Sequence, residues 1–260
     1  MEFIRFHRQP ELVEPVLVAA WPGVGNVALI AATYLKDRLE AEELAELDPT
    51  DFFDVGGVFI KDNLIDIPRF PEGKFYYRQG KGKGEDIIIF LAEGQPASGS
   101  YKYVNQVLDL ARRFRVKRVY TIAAALTEHY PDKPRVLGAA SSPELLEELS
   151  RHDVTMAGDF YIAGLNGLLL GVAADRGFES ICLLGETVKY AAKVANPRAS
   201  EKVLRVLLSM LDLEIDMTEL EEYAASTDRE LRQFGAEIKK EFLEHFTKPI
   251  WEREKPEENG

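Results

Sequence analysis

The stretch Ala19-Ala-Trp-Pro-Gly-Val-Gly-Asn-Val-Ala28 decides the fold: it follows the apolar run Pro15-Val-Leu-Val18 and opens onto residues with helical spacing. Val16-Leu-Val-Ala-Ala20 carries no polar residue, the pattern of a strand buried on both faces of a parallel sheet. From Val24 to Glu40 the apolar residues Val27, Ile30, Ala31, Tyr34, Leu35 and Leu39 fall close to one helical stripe. Strand, glycine turn and helix in this order open a βαβ fold. The Gly-Val-Gly turn admits two roles. Backbone N–H groups in such a turn at a helix N-terminus can cradle an anion, while a tight corner that binds nothing can equally require residues without a Cβ.

The same rhythm returns further along the chain. Asp86-Ile-Ile-Ile-Phe-Leu91 reads as a strand, Tyr101 to Arg115 as an amphipathic helix, and Val116 to Leu126 as another buried strand. Arg135 to Ala140 suggests a further strand, and Ser142-Pro143 starts a helix with serine at the N-cap. A glycine-spaced stretch, Gly158 to Gly171, then enters a helix that ends near Arg176-Gly177, and its glycines permit close helix-to-sheet packing or close ligand approach. Ser180 to Glu186 is the last buried strand, and Asn196-Pro197 starts the helix Glu201 to Leu211. Between Ala41 and Gln79 the pieces Phe59-Ile60, Leu64 to Ile67 and Lys74 to Arg78 predict antiparallel additions beside the main sheet. Gly80-Lys-Gly-Lys-Gly84 has strands on both sides and therefore reads as a hairpin tip, since a phosphate loop would open a helix.

With 260 residues and a net charge of −12, the chain can bury one substantial core but lacks the clustered cations of a nucleic-acid or membrane-surface binder. Its single cysteine, Cys182, excludes an internal disulfide and sits in the apolar run of a buried strand. The start, Met-Glu-Phe-Ile-Arg-Phe, lacks the apolar segment of a signal peptide, and no apolar run reaches the ~20 residues of a membrane span, so a cytoplasmic location is expected. Composition divides the chain into an α/β body, 1–216, and a charged C-terminal arm with a polar tail, 217–260. In the arm Leu220, Tyr223, Leu231, Phe234, Ile238 and Phe242 recur at helical spacing, and this stripe must rest on the body or on a neighbouring subunit. These six are the candidate oligomer or partner contacts.

In an open parallel sheet ligands collect beyond the carboxyl ends of the strands. The residues there are Gly23, Val24, Gly25 and Asn26, then Glu93 and Gln95, then Thr127 and Glu128, and finally Gly185, Glu186 and Thr187. Three of them, Glu93, Glu128 and Glu186, are carboxylates that can bind sugar hydroxyls or move protons if burial raises a pKa, and that are otherwise ordinary solvated strand ends. Other chemistries lack their residues. The histidines His7, His129, His152 and His245 are scattered, which with one cysteine argues against a zinc site, and neither a nucleophile elbow nor a P-loop is present. No catalytic residue, metal or cofactor is expected.

Four pieces in order carry a family resemblance: Pro22-Gly-Val-Gly-Asn-Val-Ala28 after the first strand, Glu93-Gly-Gln-Pro96, Gly164-Leu-Asn-Gly167, and Leu184-Gly-Glu-Thr187 followed by Asn196-Pro197 and a leucine-rich helix. Together, from about Val16 to Leu220, they resemble the proteasome assembly chaperone type two family. The resemblance implies a three-layer α/β/α sandwich with a mostly parallel central sheet, similar to nucleoside phosphorylases, plus a C-terminal helical arm. It also implies a non-enzymatic, homo-oligomeric scaffold that binds proteasome subunits or other proteins. Some chaperones in the wider group dock through a hydrophobic-Tyr-x tail, whereas this chain ends Glu-Glu-Asn-Gly260, so that route is not expected. The alternative is a nucleoside- or nucleotide-binding protein, or a phosphorylase- or hydrolase-like enzyme. There Gly23, Gly25 and Asn26 would hold an anion and Glu93 or Glu186 would bind a ribose or act as acid. No base-recognising Asp is evident, since Thr187 follows Glu186, and the balance falls against an enzyme.

Overall fold

The computed structural model describes residues 3–54, 56–66, 69–80, 85–129, 131 and 133–247, with side chains through Glu237 apart from Phe59. The all-apolar run becomes strand β2 (Val16–Ala20), every residue of it buried, in the middle of an eight-stranded mixed sheet. Strands β7 (Ile87–Ala92) and β8 (Arg118–Thr127) flank it in parallel, and β10 (Glu179–Val188) lies parallel to β8. Outside these four the pairing is antiparallel. On one side β6 (Gly73–Arg78), β3 (Glu42–Leu47) and β1 (Ile4–Phe6) follow β7 in turn, and on the other β9 (Val136–Ala140) pairs with β10. The central strands are parallel because their uninterrupted apolar runs tolerate burial on both faces, while β6 alternates buried and half-buried residues as a strand near the rim does.

The period of two along β2 sorts its side chains between two cores. Val16, Val18 and Ala20 face the helices α1 (Val27–Arg38) and α5 (Pro197–Met210), with α3 (Pro143–Leu149) lying against β9 on this side. Leu17, Ala19 and Trp21 face α2 (Ser100–Arg113) and α4 (Gly164–Asp175), where Phe75 and Phe90 stack at 4.5 Å in an aromatic core. Helices on both faces of one sheet make the three-layer α/β/α sandwich. Two of the starts are capped as the sequence suggests: Ser142 accepts a bond from Leu145 N and Asn196 from Ala199 N, each with proline in the first turn.

The antiparallel additions differ in detail from the sequence reading. Phe59-Ile60 and Leu64 to Ile67 do not join the main sheet; β4 (Phe59–Lys61) and β5 (Leu64–Asp66) form their own two-stranded sheet around Asp62-Asn63, both left-handed, and Ile67 lies outside the described residues. Strands β1 and β3, unpredicted, supply the outer antiparallel edge. Of the glycine hairpin tip, Lys81 to Gly84 lie outside the described residues, but β6 and β7 on either side pair antiparallel with Arg78 opposite Ile87.

The described part of the arm is helix α6 (Thr218–Thr247), and the polar tail from residue 248 on lies outside the described residues. Leu220, Ala224, Thr227 and Leu231 form its buried stripe, and the helix packs on α5 with Arg198 reaching Asp228 at 2.7 Å. Leu220 and Leu231 are therefore spent inside the chain and correct the expectation that they face a partner. Tyr223 and Phe234 stay about half exposed, and the side chains of Ile238 and Phe242 lie outside the described set. Among the described residues no helix is long and apolar enough to cross a membrane.

Candidate functional site

The turn after β2 is a short 3-10 segment, Val24–Asn26, with Gly25 at φ +61° and Asn26 at φ +49°. Gly25 N–H donates to the Ala192 carbonyl at 2.8 Å, and Asn196 N–H donates to the Gly25 carbonyl at 2.7 Å. Asn26 N–H donates to the Gly23 carbonyl at 3.0 Å. The donors an anion cradle would use at Gly25 and Asn26 are thus engaged within the chain. A Cβ on Gly25 would lie 3.0 Å from Asn196 Cβ, so glycine is favoured here by its positive φ and by the close passage of the β10–α5 connection. Asn196 completes the joint: its Nδ2 donates to Thr187 Oγ1 at 3.0 Å while its Oδ1 caps α5. Thr187 is accordingly buried and part of this joint.

The three carboxylates go to three different places. Glu186, at the end of β10 and only 4% exposed, accepts Arg135 N at 2.9 Å, Arg135 Nε at 2.9 Å and Arg135 Nη2 at 2.5 Å. Glu93 accepts Glu72 N–H at 3.1 Å and lines a separate hollow of about 490 Å³ beside Arg5, Glu46, Arg69 and Lys74. Glu128 is exposed, 3.5 Å from Lys189 Nζ.

Gln95 has a different task. Its Nε2 donates to the Pro22 carbonyl at 2.6 Å, and its Oε1 accepts Leu165 N–H at 3.0 Å, so it straps the β2 turn to the first turn of α4. Beside this strap lies a cleft of about 520 Å³ that gathers Gly23, Val24 and Gln95 from the predicted set. Its floor comes from Ala123 to Leu126, because β8 continues to Thr127 while its pairing with β2 stops at Thr121. Its far wall is the segment Phe160 to Gly164 together with Asn166 of α4. Asn26, Glu93, Glu128, Glu186 and Thr187 do not line it.

The described lining of this cleft carries no charged side chain. Asn166 is 5% exposed, and its Oδ1 has no partner among the described residues. On the rim Tyr161 is 89% exposed, Leu126 51% and Phe160 41%. An uncharged hollow with an apolar rim is suited to binding and lacks a proton-transfer pair. Cys182 adds no nucleophile, since complete burial pushes its thiol up to about 12. The β8 floor and the Phe160–Ala163 wall escape sequence reading because an alanine run and an aperiodic loop carry no chemical motif. The one available signal was Asn166, polar among the glycines and leucines at the entry to α4.

The molecule is thus an α/β/α sandwich with an uncharged cleft at the strand ends. Residues 17–234 match the family model described as the PAC2 family, and the chain belongs to that family. The Methanocaldococcus jannaschii protein MJ1210 is 30% identical over 241 residues, 90% of this chain and 88% of that protein. Among solved structures, Pyrococcus furiosus PbaB, described as an archaeal proteasome activator, is similar with a TM-score of 0.77 and 28% identity over 90% of this chain and 99% of that one. Pyrococcus furiosus PbaA, described as an archaeal homolog of proteasome-assembly chaperone, has a TM-score of 0.70 and 25% identity, covering 93% of this chain and 95% of that one.

Proposed function

We propose that this protein is a non-enzymatic, oligomeric scaffold that binds proteasome subunits. The observation that carries the reading is the contrast at the strand ends: the polar side chains Glu186, Gln95 and Asn196 are tied to partners within the chain, while Tyr161, Phe160 and Leu126 stand exposed around an uncharged cleft. Apolar side chains grouped on a surface mark sites of protein association. Likeness to PbaB and PbaA, at 28% and 25% identity, supports proteasome subunits as the partner class. The test is binding of the full chain to proteasome particles and isolated α-subunits from its own source, with mass measured by light scattering. Tyr161→Asp should weaken capture at least about tenfold, a loss of roughly 1.4 kcal/mol, with the fold intact. Unchanged capture by that variant, or a monomer under all conditions, counts against the proposal.

A second reading is favoured by Asn166 alone: the residue lines the cleft and its buried Oδ1 has no partner among the described residues, so a nucleoside-type ligand that shifts this side chain would supply the missing donor. Thermal-shift screening with nucleosides, nucleotides and phosphate decides it, because a specific ligand stabilises the folded state by mass action. Absence of any shift at millimolar ligand rejects it.

A further inference from the structure

Outside this cleft, three metal-ligating side chains meet on the antiparallel edge of the sheet. His7, just past β1, places Nε2 3.2 Å from Glu43 Oε1 and 3.6 Å from Glu46 Oε2, both on β3. All three ligand atoms lie within 4.8 Å of one another. A tetrahedral zinc ion with bonds of about 2.0–2.1 Å sets its ligand atoms about 3.3–3.5 Å apart, and the imidazole-to-carboxylate separations of 3.2 and 3.6 Å bracket that spacing, so small side-chain shifts would complete the polyhedron.

The backbone explains how they come together. Residues three apart on a regular strand face opposite sides, and Glu43 and Glu46 would be separated by the sheet. The register of β3 against β6 shifts between Glu43 and Ala45, and this bulge turns the two carboxylates to one side. Across from it, His7 N–H at 2.9 Å and Arg8 N–H at 3.2 Å both donate to the Leu44 carbonyl, which fixes His7 opposite the bulge. Arg5 pairs with the other oxygen of Glu46, leaving Oε2 aimed at the imidazole. Nearby, Glu42 pairs with Arg8 and Lys74 with Glu72, while the Lys74 charge also acts on Glu43 and would compete with a bound cation. The three side chains are between 23% and 39% exposed, open enough for an ion to enter.

We propose that His7, Glu43 and Glu46 form a binding site for a divalent transition-metal ion of the zinc(II) type, with a fourth position open to water. One imidazole and two carboxylates suit such an ion better than calcium or magnesium, which favour all-oxygen shells. Arg5 acts as the outer-shell residue that orients Glu46.

The experiment uses the full chain stripped with chelator. Equilibrium dialysis should show one zinc per chain, and cobalt(II) should give the intense visible bands of tetrahedral coordination. His7→Ala should abolish both signals, Arg5→Ala should weaken zinc binding roughly 10–100-fold, and His152→Ala should leave it unchanged. Should His7→Ala fail to fold, Glu43→Gln and the wild-type cobalt spectrum carry the test. Wild-type protein without stoichiometric zinc or cobalt bands, or a folded His7→Ala variant that binds like wild type, overturns the proposal; the trio is then only a histidine–carboxylate ion pair.

Discussion

Substituting Gly25 by alanine, with Gly23→Ala as its partner experiment, separates the two roles of the glycine turn. Gly25 sits at φ +61°, where a left-handed residue with a Cβ costs roughly 1–2 kcal/mol. The new Cβ would also press at 3.0 Å on Asn196, whose side chain caps α5 and holds Thr187. Disturbing a cap of this kind costs about 0.5–2 kcal/mol, and the reduced freedom of the unfolded chain returns about 0.4–1 kcal/mol. The net expectation is a loss of about 1–3 kcal/mol, or roughly 3–9 °C in Tm at about 3 °C per kcal/mol for a chain of this size. Gly23, by contrast, is extended at φ −167° with nothing within 4 Å of an added Cβ. Gly23→Ala should therefore stay within about 0.5 kcal/mol of wild type. Denaturant titration followed by circular dichroism measures both. Equal stability of the two variants refutes the close-passage account of Gly25, and loss of anion binding by a fully stable Gly25→Ala would restore the cradle.

Three further outcomes are expected. Leu220→Ala, which removes a buried anchor of α6, should cost about 2–4 kcal/mol in the same titration, while Tyr223→Ala, half exposed on the same helix, should stay within about 0.5 kcal/mol. Burial raises the Glu201 carboxyl, but hydrogen bonds from Arg205 and Arg198 outweigh it and hold its pKa below the ordinary carboxylate value. A depressed folded-state pKa gives stability that is present above the unfolded value and lost as pH falls through the folded one, so Glu201→Gln should flatten the acid limb of stability against pH, and an unchanged limb would contradict the pairing. Cys182, fully buried with its thiol pushed up to about 12, should react with thiol reagents only as fast as the chain unfolds, and rapid labelling of native protein would show that β10 is open.

The parallel centre of the sheet is legible because burial on both faces leaves no polar residue in β2, β7 or the middle of β10, and the α3 and α5 starts are legible because Ser142-Pro143 and Asn196-Pro197 satisfy helix-end donors locally. Strand β3 is not. Its sequence Glu-Glu-Leu-Ala-Glu-Leu places two buried residues in succession, since the bulge at Glu43–Ala45 breaks the period of two on which strand reading depends. The same bulge hides the His7–Glu43–Glu46 trio, whose spacing fits no linear metal motif. At the crevice, proximity to strand ends placed Gly23, Val24 and Gln95 on the cleft, whereas the directions of Glu93, Glu128 and Glu186 depend on long-range partners such as Arg135, which a local pattern does not encode.

The eight-stranded sheet ends in β1, three residues long, and in β9, five residues long. Thr155 already occupies part of the free margin of β9, donating its N–H to the Val136 carbonyl at 2.7 Å, and β1 carries Arg5 close to His7 and Arg8. Margins this brief and charged make poor templates for another chain's backbone. Neither margin therefore favours extending one sheet into the next, and the self-association proposed above would rest on side chains of helices and loops, where single substitutions can reach it.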